Sequence, residues 1–172
     1  SIMLNEEDHI RLQSIYTGLQ LNEAYELASM IDDVLEEKIE YAFNQKYGYL
    51  TACPTNIGTG MRASAMLHLP ALSMTGNING IFNAINQLGM TIRGMYGEGS
   101  DVQGNVYQIS NQVTLGLSEE EIISNLLAVT KQIIDRERKS RKKLVESNMI
   151  QLQDNAWRSL GILENARILS SK

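Results

Sequence analysis

Between Tyr47 and Thr130 the chain carries only two basic side chains, Arg62 and Arg93, and from Tyr41 to Leu117 only two acids, Glu98 and Asp101. A stretch so poor in solvating charge has to be largely buried, and a charge placed inside it needs a partner or a ligand. Within it, Arg62 to Leu69 alternates strictly. Arg62, Ser64, Met66 and His68 fall on one face of a strand, and Ala63, Ala65, Leu67 and Leu69 on the other. Pro70 ends that strand. All four charges of this neutral middle lie beside glycine-rich turns.

The flanks are the reverse. Residues 1–60 hold three basic side chains against ten acids, and residues 131–143 hold seven basic against two acidic. His9 to Ile15 reads as a strand. Leu21 to Phe43 reads as a helix capped by Asn22, with Ala24, Leu27, Ile31 and Ile39 on its inner stripe and an acidic, solvated outer face. Gly48 to Thr51 is a short strand running into Cys53-Pro54-Thr55-Asn56-Ile57-Gly58-Thr59-Gly60, a loop suited to close backbone approach. A second helix is expected from Asn77 to Gln87, and strands at Met90 to Tyr96 and Val106 to Leu115. Ser118-Glu119-Glu120-Glu121 is a capping box that opens a long helix bearing Ile122, Leu126, Val129 and Ile133. Strands precede and separate helices without a repeated βαβ period, which predicts an α+β fold, a largely antiparallel sheet backed by helices and followed by a helical tail.

A chain of 172 residues is long enough for one core that buries roughly 70% of the unfolded surface. It contains no apolar run of the ~18 residues that a membrane span needs, and neither a basic nor an apolar leader at its start, so no membrane partner is expected. The single cysteine, Cys53, is expected to be a free thiol in a reducing compartment, which points to the cytoplasm. Six of the eight residues Arg136 to Lys143 are basic. That run continues a helix and has no interleaved aromatic residue, and the chain as a whole is acidic. It is therefore read as a solvated helix end or a protein-docking surface, with no nucleic-acid partner. His9 and His68 lack ligand spacing, so no metal site is expected of the protein itself.

Three separated segments supply the parts of a phosphoryl-transfer site. Asn5-Glu6-Glu7-Asp8-His9-Ile10-Arg11, Cys53 to Met66, and Arg93-Gly94-Met95-Tyr96-Gly97-Glu98 each place one arginine at a strand end. Three guanidinium groups converging on a polyphosphate offset its charge with fixed, forked donors. Taken singly, each feature has a plainer reading. An arginine–carboxylate pair in a sheet is commonly structural, Cys53 alone is commonly a small buried hydrophobe, and Met66 alone is sheet packing.

Together, the asparagine-glutamate-glutamate-aspartate-histidine word, the Cys53-Pro54-Thr55-Asn56 word, Arg62-Ala63-Ser64 with Leu69-Pro70, and Arg93-Gly94 with Gly97-Glu98 closely resemble the ATP:guanidino phosphotransferase family. Creatine kinase and arginine kinase are members. The resemblance covers about residues 3–145. It implies that residues 1–145 are the C-terminal part of a glutamine-synthetase-like catalytic domain and that 146–172 begin a helical C-terminal region. It further implies ATP and Mg²⁺ as cofactors. Glu7, Cys53 as thiolate, and Glu98 would hold the substrate guanidinium. Arg11, Arg62 and Arg93 would hold the phosphates, with Ala63, Ser64, Ala65, Met66, Gly94, Met95, Tyr96 and Gly97 completing the nucleotide site. A guanidinium is no nucleophile until its charge is held and a proton drawn off, which suits paired carboxylates.

Two departures indicate a branch. Met66 replaces the histidine of phosphagen kinases. Gln108-Ile109-Ser110-Asn111-Gln112-Val113-Thr114 replaces an element that carries an aspartate at its start and an arginine at its end. The wording around Arg62, Arg93 and Trp157 is similar to the bacterial branch that phosphorylates arginines of protein substrates in stress response. Two alternatives stand beside it: a bacterial kinase of free arginine, separated by an assay with free arginine, and a non-catalytic interaction module, separated by ATP titration. The family's upstream serine-threonine-arginine segment is not present, so the 172 residues taken alone are expected to be inactive, with self-association through an open sheet edge or the apolar stripe 152–163.

Overall fold

A computed structural model of the chain describes residues 1–94 and 103–168. Ile2–Glu6 (β1) and Asp8–Leu12 (β2) form an antiparallel hairpin in which Glu6 pairs with Asp8 and Glu7 is the tip. The expected strand at 9–15 is thus the second arm of a hairpin, and its first arm was not anticipated. Leu21–Glu36 (α1) ends well before Phe43, and Asn22 lies within its first turn rather than capping it. The chain leaves α1 because Tyr41 is drawn away. Its hydroxyl donates to Asp32 Oδ1 at 2.9 Å, and its ring stacks edge-on with Tyr49, which does the same with Phe43. Burial, then the bond to Asp32, pushes the Tyr41 phenol up to about 12. Phe43–Asn44 (β3) and Gly48–Tyr49 (β4) make a second, minimal hairpin.

The remaining strands form one antiparallel sheet, Ser64–His68 (β5), Met90–Gly94 (β6) and Val106–Asn111 (β7), with β7 in the middle. The alternation read from the sequence holds. Ala65 is buried and Leu67 packs on the core, while Met66 and His68 face out. Pro70–Met74 (α2), Ile78–Gln87 (α3) and Glu119–Asn165 (α4) carry the residues that close the inner face. Leu69, Leu72, Ile81, Ile85, Met90, Tyr107, Ile109, Leu126 and Ile133 form the core. Pro70 does more than end β5. With no N–H to lose and a fixed φ, it starts α2.

α4 opens as expected, with Ser118 Oγ accepting from the Glu121 N–H and Glu121 Oε2 accepting from the Ser118 N–H. Its basic stretch is not a purely solvated end. Glu137 is only 3% exposed and its carboxylate accepts from the Ala71 and Leu72 N–H groups at 3.0 Å each. Arg141 donates to that carboxylate and to the His68 carbonyl. α4 is thereby fixed to the β5–α2 junction. The helix breaks at Asn148, where φ is −134°, and beyond it Trp157, Leu160, Ile162 and Leu163 are exposed. The stripe of α1 is not core either, since no residue of α1 is buried and Leu27 and Val34 are exposed. No described helix is long and apolar enough to cross a membrane.

Candidate active site

The hairpin tip is strained into position. Asn5 and Glu7 both adopt positive φ, 53° and 62°, so the β1–β2 chain reverses within a single residue and Glu7 stands exposed at the apex. Asp8, next to it, is partly buried and turned toward the cysteine loop. Its Oδ1 accepts from the Cys53 N–H at 3.1 Å and its Oδ2 from Asn56 Nδ2 at 2.8 Å. Burial alone would raise the Asp8 carboxyl. The bonds from Asn56 and from the backbone at Cys53 and Ala52, with His9 beside it, outweigh that and hold it below the ordinary range. One carboxylate therefore joins the segment that carries Glu7 to the loop that carries Cys53, 45 residues away. The Cys53 thiol lies 3.0 Å from Thr55 Oγ1.

The loop is fixed from its other side by Thr114. That residue is 6% exposed; its hydroxyl donates to the Thr55 and Ile57 carbonyls, and its own carbonyl accepts from the Thr59 N–H at 2.9 Å. The position where phosphagen kinases have an arginine is thus a structural staple here. Packing is tightest at Gly58, with φ of 111°, where a Cβ would sit 2.1 Å from the Thr114 carbonyl oxygen. Only glycine fits.

The outer face of the sheet carries Arg93. Met66, Gln108 and Arg93 stand in one cross-strand row, and Ser64, Ser110 and Thr91 in the next. Gln108 Nε2 donates to Ser64 Oγ at 3.0 Å. Arg62 precedes Ser64 by two residues. Ala65 points into the core and Ala63 packs on it, so either would meet a nucleotide through backbone alone. Arg11 sits on β2 and is ion-paired with Glu6 at 2.6 Å, both groups exposed. Met95, Tyr96, Gly97 and Glu98 lie outside the described residues. Asp8, Asn56, Asn111 and Thr114 are the contributors that motif reading passed over. All four lie inside the quoted words, but their tasks depend on contacts 45 to 59 residues distant.

Asp8 thus ties the hairpin that carries Glu7 to the cysteine loop, and the three-stranded sheet carries Arg93 on its outer face. Residues 1–140 match the model of the ATP:guanido phosphotransferase C-terminal catalytic domain, and the chain belongs to that family. Among solved structures it is similar to lombricine kinase, 35% identical with a TM-score of 0.70 over 83% of this chain and 40% of that one. It is also similar to the duplicated taurocyamine kinase of Schistosoma mansoni, 32% identical with a TM-score of 0.67 over 79% of this chain and 19% of that one. Its whole length is 59% identical to 48% of the protein-arginine kinase of Halalkalibacterium halodurans and 55% identical to 47% of that of Bacillus subtilis. A third, from Clostridium kluyveri, is 60% identical over 99% of this chain and 50% of its own length. The chain spans about half the length of these curated relatives.

Proposed function

We propose that this chain is part of an enzyme that moves the γ-phosphoryl group of MgATP onto an arginine guanidinium of a protein substrate. The observation that carries the reading is the Asp8 bridge, which sets Glu7 and Cys53 on two segments tied to each other. In this reading Glu7 and Glu98 hold the guanidinium charge, and the Cys53 thiolate contacts it. As the new N–P bond forms and the bond from the γ-phosphorus to the β–γ bridging oxygen breaks, a carboxylate takes the guanidinium proton and ADP leaves. Arg11, Arg62 and Arg93 neutralise the phosphates, and for this Arg11 has to exchange Glu6 for the nucleotide. Mg²⁺ arrives with ATP as substrate.

High identity along the whole chain to relatives named protein-arginine kinase supports a protein rather than a free amino acid as acceptor. A free Cys53 thiol suits a cytoplasmic enzyme, and a role in stress response follows the same branch. The break at Asn148 fits a catalytic part over 1–145 and the start of a helical region over 146–172, whose exposed stripe suits contact between copies.

The test is product analysis with the full-length enzyme, MgATP and an arginine-bearing protein. Acid-labile phosphoarginine on the protein is expected. Phosphoserine or phosphotyrosine alone would reject the reaction, and turnover of free arginine in preference to protein would assign the phosphagen alternative.

A further inference from the structure

We infer that Asn111 is a positioning residue for Arg62, an inference that rests on the nucleotide-site reading above. Arg62 lies just outside regular structure. The β5–β7 ladder stops at Ser64 opposite Ser110, and Gly60, two residues before Arg62, has a φ of 62°. The backbone on either side of Arg62 is instead held by Asn111, at the end of the central strand and 5% exposed. Asn111 Oδ1 accepts from the Ala63 N–H at 2.8 Å, its Nδ2 donates to the Met61 carbonyl at 3.0 Å, and its own N–H donates to the Ala63 carbonyl at 3.3 Å. A fourth bond, from the Met61 N–H to Thr59 Oγ1, is the only other one at those two residues among the described residues.

The side-chain orientation is forced. Reversing the amide would aim Nδ2 at an N–H and Oδ1 at the carbonyls of Met61 and Val113, leaving all three contacts repulsive. Asn111 thus grips the peptide before Arg62 and the peptide after it, while the guanidinium is left exposed. Among the described residues Arg62 has no hydrogen-bonded or ionic partner, so its direction is set by its backbone and by what it binds. Positioning dominates phosphoryl transfer, and small misplacements are expensive. The asparagine acts by fixing where this arginine leaves the sheet.

The experiment is a double-mutant cycle on KM for ATP in the full-length kinase, with Asn111→Ala, Arg62→Ala and the pair, and each variant's melting temperature recorded. Asn111→Ala is expected to raise KM about tenfold, the scale of one charge-assisted contact. In the Arg62→Ala background the same change should add less than about twofold, since the group it positions is gone. If Asn111→Ala does not fold, Asn111→Ser, which keeps a hydroxyl at the site, replaces it in the cycle. Equal factors in both backgrounds, or an unchanged KM for the Asn111 variant, would overturn the inference and leave the nucleotide reading standing. An Arg62→Ala enzyme with unaltered KM would bring down that reading and the inference with it.

Discussion

Asp8 joins the two segments of the proposed guanidinium site with one carboxylate, and its replacement is expected to show in both rate and stability. Asp8→Asn in the full-length enzyme puts an NH₂ against one of two donors and removes the charge both were bonded to. The expected cost is about 1.5–3 kcal/mol of stability with a drop in kcat, measured by urea unfolding and steady-state kinetics. Because the folded-state carboxyl lies below its ordinary value, its contribution is complete above the usual carboxyl range and is lost as pH falls through the depressed value. Asp8→Asn should therefore flatten the acid limb of stability against pH. Cys53→Ser is expected to fold normally and lose on the order of 10²-fold in rate, because serine provides no thiolate at neutral pH. Circular dichroism and turnover separate the two effects. The residue types of the proposed site can be picked out of the sequence because Glu7, Cys53, Arg62 and Arg93 sit in short, specific words. The roles of Asp8 and Thr114 were not, because a carboxylate and a hydroxyl read alike in any loop until the partner 45 or 59 residues away is known.

Elements were read well where a local signal decides them and poorly where a distant contact does. The capping box of α4 and the alternation of β5 are written into four to eight adjacent residues, and both appear as expected. The end of α1 is set by Tyr41 reaching Asp32 and by the ring cluster with Tyr49, so helical periodicity alone ran the helix seven residues too far. Likewise, the six basic residues of 136–143 concealed Glu137, whose partners lie on α2. Glu137→Ala strips the acceptor from two buried N–H groups at the start of α2. It should cost about 2–4 kcal/mol, seen as a lower urea midpoint with an unchanged slope. Gly58→Ala forces a Cβ against the Thr114 carbonyl at a φ that L residues avoid, and a loss of about 3 kcal/mol or more is expected in the same measurement. If either variant unfolded at the wild-type midpoint, the staple it belongs to would have no mechanical role.

For the molecule as a whole, the fold divides its sheet into a face closed by α2, α3 and α4 and a face left to polar side chains. The charge-poor middle of the sequence pointed to a largely buried stretch, but only the inner face of the sheet is closed, and Met66, Gln108 and Arg93 on the other face are exposed. What it could not foretell was how the β1–β2 hairpin, a separate two-stranded sheet, would be brought to the cysteine loop. In the proposed reaction that joining serves Glu7 at the hairpin apex. The most direct measurement is phosphoarginine formation by the full-length enzyme carrying Glu7→Gln, an isosteric change at an exposed position. It is followed by ³¹P NMR on an arginine-bearing protein with MgATP, beside a titration of ATP binding. A loss of on the order of 10²-fold or more in the rate of N–P bond formation, about 3 kcal/mol, is expected, with ATP affinity unchanged. Wild-type rates of phosphoarginine formation from the Glu7→Gln enzyme would contradict it.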